Sequence, residues 1–209
     1  MGIETALIFG SASYGDWSFL DPLRGRARVI CADGGLLRAR EAGFRADAFI
    51  GDCDSGGHPA EGVPSDLLRP EKDLTDLQAA YERARADGFR RVVLTACTGG
   101  RQDHHIANLQ LLETARRDGI AARILDPWNE ISFFDSEQMT FRCGGFRYFS
   151  LLPADRTLRG VTIRGAKYPL ENVSVRRGDS LTVSNESLGG DVFVSVEEGA
   201  GWLVFSERI

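Results

Sequence analysis

Two aspartates one residue apart, Asp52 and Asp54, follow an apolar run that stops abruptly at a glycine: Ala48-Phe49-Ile50-Gly51-Asp52-Cys53-Asp54-Ser55. An apolar run ended by glycine reads as a buried strand leading into a tight turn. Carboxylates just past the carboxyl end of such a strand stand where open α/β sheets bind ligands. Two of them at i and i+2 in a turn can converge on one hard cation, which prefers oxygen donors. Aspartate and glycine are also ordinary turn formers, so the pair alone does not define a site. A calcium loop of the EF-hand type is excluded, because its fifth and twelfth positions would be Gly56 and Val63, neither a side-chain ligand.

Four further polar clusters stand at the ends of other expected elements. Asp33-Gly34-Gly35 closes an apolar run over residues 29–32 and precedes a short apolar helix over 36–42. Glu71-Lys72-Asp73-Leu74-Thr75-Asp76 precedes a helical stripe of Leu74, Leu77, Ala80, Tyr81 and Ala84. Asp73 or Thr75 serves there as helix N-cap, and the free N–H groups of that first turn attract anions. Asp73 and Asp76, three apart on one helical face, can also turn together toward a metal. Thr98-Gly99-Gly100-Arg101-Gln102-Asp103-His104-His105 follows a strand over 92–96 and opens a helix running to about residue 118. Its glycines permit close backbone approach, and Arg101 can fork onto phosphate oxygens. Asp103 reads as N-cap, metal ligand or both. His104 and His105 point different ways on a helix, so no two-histidine zinc site is expected. The fifth cluster, Ser184-Asn185-Glu186, lies far downstream.

The elements that must position these clusters change character along the chain. Residues 5–9 read as a first buried strand, followed by Gly10-Ser11-Ala12-Ser13, which is neither a Gly-x-Gly-x-x-Gly fingerprint nor a Walker A loop. Up to a last strand over 122–125, strands alternate with helices, which implies a mostly parallel sheet. Beyond Asp126-Pro127-Trp128-Asn129, short strand-like runs at 131–134, 139–141, 148–152, 161–163, 181–183, 192–196 and 203–205 are separated by Gly/Asp/Asn turns without helices. The fold class is therefore an α/β domain over residues 1–128, with a mostly parallel sheet, followed by an all-β sandwich or barrel-like domain over 129–209.

Composition bounds the partners. A 209-residue chain with 43% hydrophobic and 26% charged residues is an ordinary globular protein with room for a sizeable core. Its formal charge of −5, with no basic block, argues against nucleic-acid binding. No run of 18 apolar residues predicts a membrane span, and no secretory leader pattern opens the sequence. Cys31, Cys53, Cys97 and Cys143 form no Cys-x-x-Cys pair, which suits a reduced, cytoplasmic protein.

Taken together and in order, Asp33-Gly34-Gly35, Gly51-Asp52-x-Asp54-Ser55, Lys72-Asp73-x-Thr75-Asp76, Gly99-Gly100-Arg101-x-Asp103-His104 and Ser184-Asn185-Glu186 resemble the thiamine pyrophosphokinase (thiamine diphosphokinase) family over almost the whole chain. The resemblance implies pyrophosphoryl transfer from ATP to the hydroxyethyl oxygen of thiamine, giving thiamine diphosphate and AMP. It implies an ATP-binding catalytic α/β domain, a thiamine-binding β-sandwich, and a homodimer with active sites shared between domains and subunits. By position, Asp52, Asp54, Asp76, Asp103 and Arg101 are the implied catalytic residues, with Mg²⁺ on Asp52, Asp54 and Asp76. Asp33, Gly34, Lys72, Asp73, Thr75, Gly99, Gly100 and Asn108 are the implied ATP contacts. Ser184 and Asn185 match the thiamine-side motif. Trp202 aligns with a C-terminal aromatic of the family, and it reads equally as a ring stacked on the cationic thiamine or as a sandwich-core tryptophan. The segment Gly165-Ala166-Lys167-Tyr168-Pro169-Leu170 also matches, in a structural capacity.

The chemistry is consistent with that set. Phosphoryl chemistry is catalysed mostly by positioning and charge neutralisation, so clustered aspartates call for a divalent cation and Lys72 and Arg101 screen what charge remains. Either Asp76 or Asp103 can take the proton of the alcohol. Two other functions stay open on sequence alone. One is a pyrophosphokinase acting on a hydroxymethyl-dihydropterin, which the downstream Ser184-Asn185-Glu186 motif disfavours. The other is a non-catalytic thiamine or nucleotide sensor, which would not need so many carboxylates.

Overall fold

The structure, a computed structural model, describes residues 3–51, 62–67 and 73–208. The chain divides into two compact units, Met1–Pro127 and Trp128–Ile209. In the first, the element order is Thr5–Phe9 (β1), a 3-10 helix Ser18–Leu23, Ala27–Ala32 (β2), Gly35–Glu41 (α1), Ala48–Gly51 (β3), Ser65–Leu67 (β4), Asp76–Ala86 (α2), Arg91–Thr95 (β5), Gln102–Arg117 (α3) and Ala121–Leu125 (β6).

The six strands pair in the order β4-β3-β2-β1-β5-β6, every pair parallel. β3 is apolar throughout, as is β1 after Thr5, and both are buried along nearly their whole length, as strands covered on both faces must be. Leu7, Phe9, Val29, Cys31, Phe49 and Val93 join one core cluster with Leu36 and Ala39 of α1 and with Phe19 and Leu20 of the 3-10 helix. Successive strand residues alternate faces, so the intervening buried residues Ile8, Ile30, Ile50 and Leu94 turn to the opposite side. α2 packs against β1, β2 and β3, and α3 packs against β6 and α2. α2 buries Leu77, Ala80, Tyr81 and Ala84, four of the five residues of the expected stripe, while Leu74 lies exposed ahead of the helix. Tyr81 also donates its hydroxyl proton to Asp118 at 2.7 Å, tying α2 to the end of α3.

The second unit contains Asn129–Asp135 (β7), Gln138–Phe141 (β8), Phe146–Pro153 (β9), Thr157–Arg164 (β10), Leu170–Arg176 (β11), Val192–Ser195 (β12) and Ala200–Arg208 (β13). β13 lies between β7 and β9, and the order β11-β10-β12-β8 forms the other set, all antiparallel. Phe149, Leu151, Leu203 and Phe205 of the first set share one core with Leu158, Val161, Val192 and Val194 of the second, which makes the unit a β-sandwich.

Two expectations in this unit are corrected. Residues 181–183 are not a strand but turns, with only isolated bridges at Asn185 and Ser187. Leu181 and Val183 point outward at 54% and 43% exposure, while Thr182 is buried and its hydroxyl donates to the Leu151 carbonyl at 2.6 Å. β11, not expected from sequence, is an edge strand whose only fully buried residue is Val175. An edge strand with one buried side chain carries no apolar alternation to recognise.

Candidate functional site

β1 pairs with β2 on one side and with β5 on the other, so the chain order reverses between β1 and β5. The loops leaving those strands therefore part at their carboxyl ends and open a crevice, the usual ligand position in a doubly wound sheet. A cleft of about 500 Å³ lies there, lined by Gly10 and Ser11 after β1, Asp33 after β2, Thr75 and Asp76 at the start of α2, and Gly99, Gly100, Arg101, His104 and Asn108 around the start of α3.

The floor of the cleft is stitched by backbone. Gly10 donates its N–H to the Thr95 carbonyl and Ala12 to the Ala96 carbonyl, each at 2.8 Å. A Cβ on Gly10 would stand 2.5 Å from the Ala96 oxygen, so this approach requires glycine. Asp33 (φ 45°) and Ala96 (φ 54°) adopt the left-handed conformation that non-glycine residues seldom take. Such strain persists where surrounding structure enforces it, commonly at functional sites. Asp33 is only 8% exposed, and its N–H donates to Ile50 at 2.8 Å, fixing the carboxylate at the cleft wall. Gly34 takes the N-cap position of α1.

Two helices begin at the cleft. Thr75 is the N-cap of α2, its Oγ1 accepting from the Gln78 N–H at 3.2 Å, and Asp76 is the first helical residue. Asp73 is exposed ahead of it. Gly99 (φ 78°) and Gly100 (φ 63°) have open space where a Cβ would sit, so backbone handedness rather than crowding dictates glycine there.

Arg101 holds the N-cap position of α3 without a side-chain cap. Its Nε and Nη2 fork onto Oδ1 and Oδ2 of Asp103 at 3.2 and 2.6 Å. Asp103 is thus not the N-cap. The Arg101 guanidinium, helped by the His104 N–H at 2.9 Å, holds its carboxyl down at about 2. Asn108, expected as an ATP contact, is buried at the cleft wall, and its Nδ2 donates to the Cys97 carbonyl at 2.8 Å.

The sequence reading missed one group. Tyr14 accepts from the N–H groups of Cys97 and Thr98 at 3.0 and 3.1 Å and shares a 2.7 Å bond with Thr98 Oγ1. Thr98 Oγ1 donates to Oδ2 of Asp126, only 2% exposed, at 2.9 Å. No local pattern marks these residues, because Tyr14 and Thr98 are 84 positions apart.

In the second unit, Ser184 has φ 57° and its N–H donates to Ser150 Oγ at 2.9 Å. Asn185 is 3% exposed; its Oδ1 accepts from the Tyr168 and Glu186 N–H groups at 3.0 and 2.9 Å, and its Nδ2 donates to the Tyr168 carbonyl at 2.8 Å. The amide therefore braces the 165–170 segment. Trp202 is partly exposed on β13, on the face opposite the core residues Leu203 and Phe205, and packs edge-on against Phe133 at 5.8 Å.

Asp52, Asp54 and Lys72 lie outside the described residues. Among the described residues no group of three or more His, Cys, Asp or Glu side chains is arranged to hold a metal ion. The donors present at the cleft, Asp33 and Asp76, are hard carboxylate oxygens of the kind Mg²⁺ prefers. Gly51, the last residue of β3, lies so close to Asp33 that a Cβ there would sit 2.9 Å from the Asp33 Cα.

A parallel α/β sheet with a carboxylate- and glycine-lined crevice at its switch point, followed along the chain by an antiparallel sandwich, defines an α/β-plus-β architecture. The model of the thiamin pyrophosphokinase catalytic domain matches residues 22–124, and that of the thiamin pyrophosphokinase vitamin B1 binding domain matches residues 136–200. The thiamine pyrophosphokinase of Bacillus subtilis (strain 168) is 30% identical over 164 residues, covering 75% of this chain and 77% of that protein. The crystal structure of thiamine pyrophosphokinase from Bacillus subtilis superposes with a TM-score of 0.86 at 26% identity, over 98% of this chain and 100% of that one. That from Geobacillus thermodenitrificans gives 0.79 at 29% identity, over 98% of each. The chain belongs to the thiamine pyrophosphokinase family, whose reaction moves the pyrophosphoryl group of ATP to thiamine.

Proposed function

We propose that the cleft at the carboxyl ends of β1, β2 and β5 takes the phosphates of ATP, and that the first unit is the ATP-binding catalytic domain and the second the thiamine-binding one. The observation carrying this reading is the convergence of Asp33, Asp76, Arg101 and the Gly99–Gly100 backbone on one crevice together with the starts of α2 and α3. Helix starts and glycine backbone offer N–H groups to phosphate oxygens, and Arg101 offers a forked cation. The thiamine hydroxyl oxygen bonds to the β-phosphorus as the bond from that phosphorus to the α,β-bridging oxygen breaks; AMP leaves, and the hydroxyl proton passes to a cleft carboxylate and on to solvent.

Asp52, Asp54 and Asp76 would hold Mg²⁺, which when bound neutralises phosphate charge. Arg101 screens what remains, after exchanging its Asp103 partner for a phosphate. Before that exchange Arg101 holds Asp103 ionised and Asp103 holds the guanidinium in place. Lys72, Asp73, Thr75 and Asn108 complete the ATP side, the last two by fixing α2 and the Cys97 loop. Ser184 and Trp202 face thiamine, and Asn185 supports them. The active form is a homodimer in the cytoplasm; buried free thiols at Cys31, Cys97 and Cys143 fit a reducing compartment. Among the described residues no helix is long and apolar enough to cross a membrane.

The test is AMP production by the purified protein with Mg-ATP and thiamine, a hydroxymethyl-dihydropterin or no acceptor. Thiamine-dependent AMP with thiamine diphosphate as co-product is expected, and complete chelation of divalent cations should stop it. AMP with the pterin alone would overturn the acceptor assignment. Thiamine binding without AMP would make the protein a sensor.

A further inference from the structure

We infer that Tyr14 is a positioning residue for the phosphate side of the cleft, its hydroxyl holding the Cys97–Arg101 loop in register from behind. The inference rests on the reading that this cleft takes the phosphates of ATP.

The hydrogen positions of the network follow from counting protons. Thr98 has one hydroxyl proton and donates it to Asp126 Oδ2 at 2.9 Å. The 2.7 Å bond between Tyr14 and Thr98 Oγ1 must then carry the phenol proton. That leaves the phenol lone pairs to accept the Cys97 and Thr98 N–H groups. One hydroxyl thus satisfies two successive backbone donors and one side chain of the same loop. Through Thr98 it connects to the Asp126 carboxylate, which is 2% exposed. Burial raises the phenol's pKa well above its ordinary range, so it stays a neutral donor at working pH.

The loop needs such support. Immediately after Thr98 come two glycines in the left-handed conformation, with no neighbour where a Cβ would sit, and then Arg101. A segment without side chains of its own has nothing to anchor it on the ligand side, so its placement is set from behind. Asn108 fixes the Cys97 carbonyl at 2.8 Å, and Tyr14 fixes the N–H groups on either side of it. The Tyr14 ring is itself located by Trp17 and Phe19, with centroids 5.3 and 6.2 Å away. Removing only the hydroxyl leaves that packing in place. It orphans two backbone N–H groups at the loop that leads to the cleft's cation.

The test uses the full chain and compares wild type with Tyr14→Phe, Thr98→Val and Thr98→Ser. It measures kcat and KM for ATP and for thiamine, equilibrium binding of Mg-ATP without thiamine, and thermal unfolding. For folded Tyr14→Phe we expect kcat/KM for ATP to fall on the order of tenfold, about 1.4 kcal/mol, with the thiamine KM within about twofold of wild type. Thr98→Val should reproduce the loss and Thr98→Ser should recover most of it. The double variant Tyr14→Phe/Thr98→Val should lose less than the sum of the two single losses.

A folded Tyr14→Phe with wild-type ATP constants would overturn the inference, as would equal losses toward ATP and thiamine, which mark a merely structural role. If Tyr14→Phe does not fold, the threonine pair decides. A loss in Thr98→Val recovered in Thr98→Ser supports the inference, and equal behaviour of the two overturns it. If wild type makes no AMP from thiamine, the functional reading fails separately. Mg-ATP binding then decides the inference, upheld by weaker binding in Tyr14→Phe and overturned by unchanged binding.

Discussion

Arg101 closes a two-pronged ion pair on Asp103, two residues away across the start of α3, with N···O distances of 3.2 and 2.6 Å. The partners are 74% and 64% exposed, so the pair lies in water and contributes little to stability. Its value is geometric: it holds a planar cation at the cleft, with both prongs engaged by Asp103. Arg101→Lys keeps the charge and loses the fork, and should lower kcat on the order of a hundredfold with an unchanged melting temperature. A lysine variant as active as wild type would remove Arg101 from the phosphate side.

The same pair sets a pH response. The Asp103 carboxyl drops from 3.8 to about 2, first through the Arg101 hydrogen bonds and then through the His104 N–H. A lowered carboxyl favours the folded pairing above its unfolded value of 3.8, and that contribution is lost only as pH falls through about 2. The pair therefore stays intact throughout the neutral and mildly acidic range. Following the Asp103 carboxyl carbon by NMR should give a midpoint near 2 in wild type, moving up toward 3.8 in Arg101→Ala.

Thr75 and Asn185 should separate structural from ligand roles. Thr75→Ala removes the Gln78 cap and should cost about 1 kcal/mol, a fall in melting temperature of roughly 2–4 °C, while Thr75→Ser should keep most of it. A full loss in the serine variant would mean that the cap is not what Thr75 supplies.

Asn185→Ala removes the buried amide that partners the part-buried Tyr168 N–H and carbonyl and should destabilise the protein by roughly 1–3 kcal/mol. Ser184→Ala should instead raise the thiamine KM with little change in stability. Denaturant melts combined with thiamine kinetics check both, and an Asn185→Ala protein of wild-type stability would refute the brace.

Gly10→Ala places a methyl group 2.5 Å from the Ala96 carbonyl oxygen. Two backbone segments must separate to admit it, so a loss of roughly 1–3 kcal/mol and a disturbed cleft are expected. A thermal melt and the ATP KM would report both, and wild-type values would show that the loops are not held as close as described.

What could be read in the sequence was what is encoded locally. β1, β2 and β3 announced themselves as apolar runs ended by Gly or Asp, because strands buried on both faces must be largely apolar. The helix over α2 showed its stripe, and the ordered clusters at strand ends carried the family resemblance. Local pattern failed where exposure rather than composition decides structure. β11 buries one residue and so lacked a signal, while Leu181 and Val183 looked like strand and turned outward.

Tertiary structure alone decided the contacts between distant segments. It settled that Thr75 rather than Asp73 caps α2, that Asn185 braces backbone, and that Tyr14 reaches Thr98, which in turn reaches Asp126, behind the glycine loop. Hydrogen-bond partners lie within about 3 Å in space and at any separation in sequence. The sequence thus determined which side chains exist to do the chemistry, and folding determined which are held to it and which do the holding.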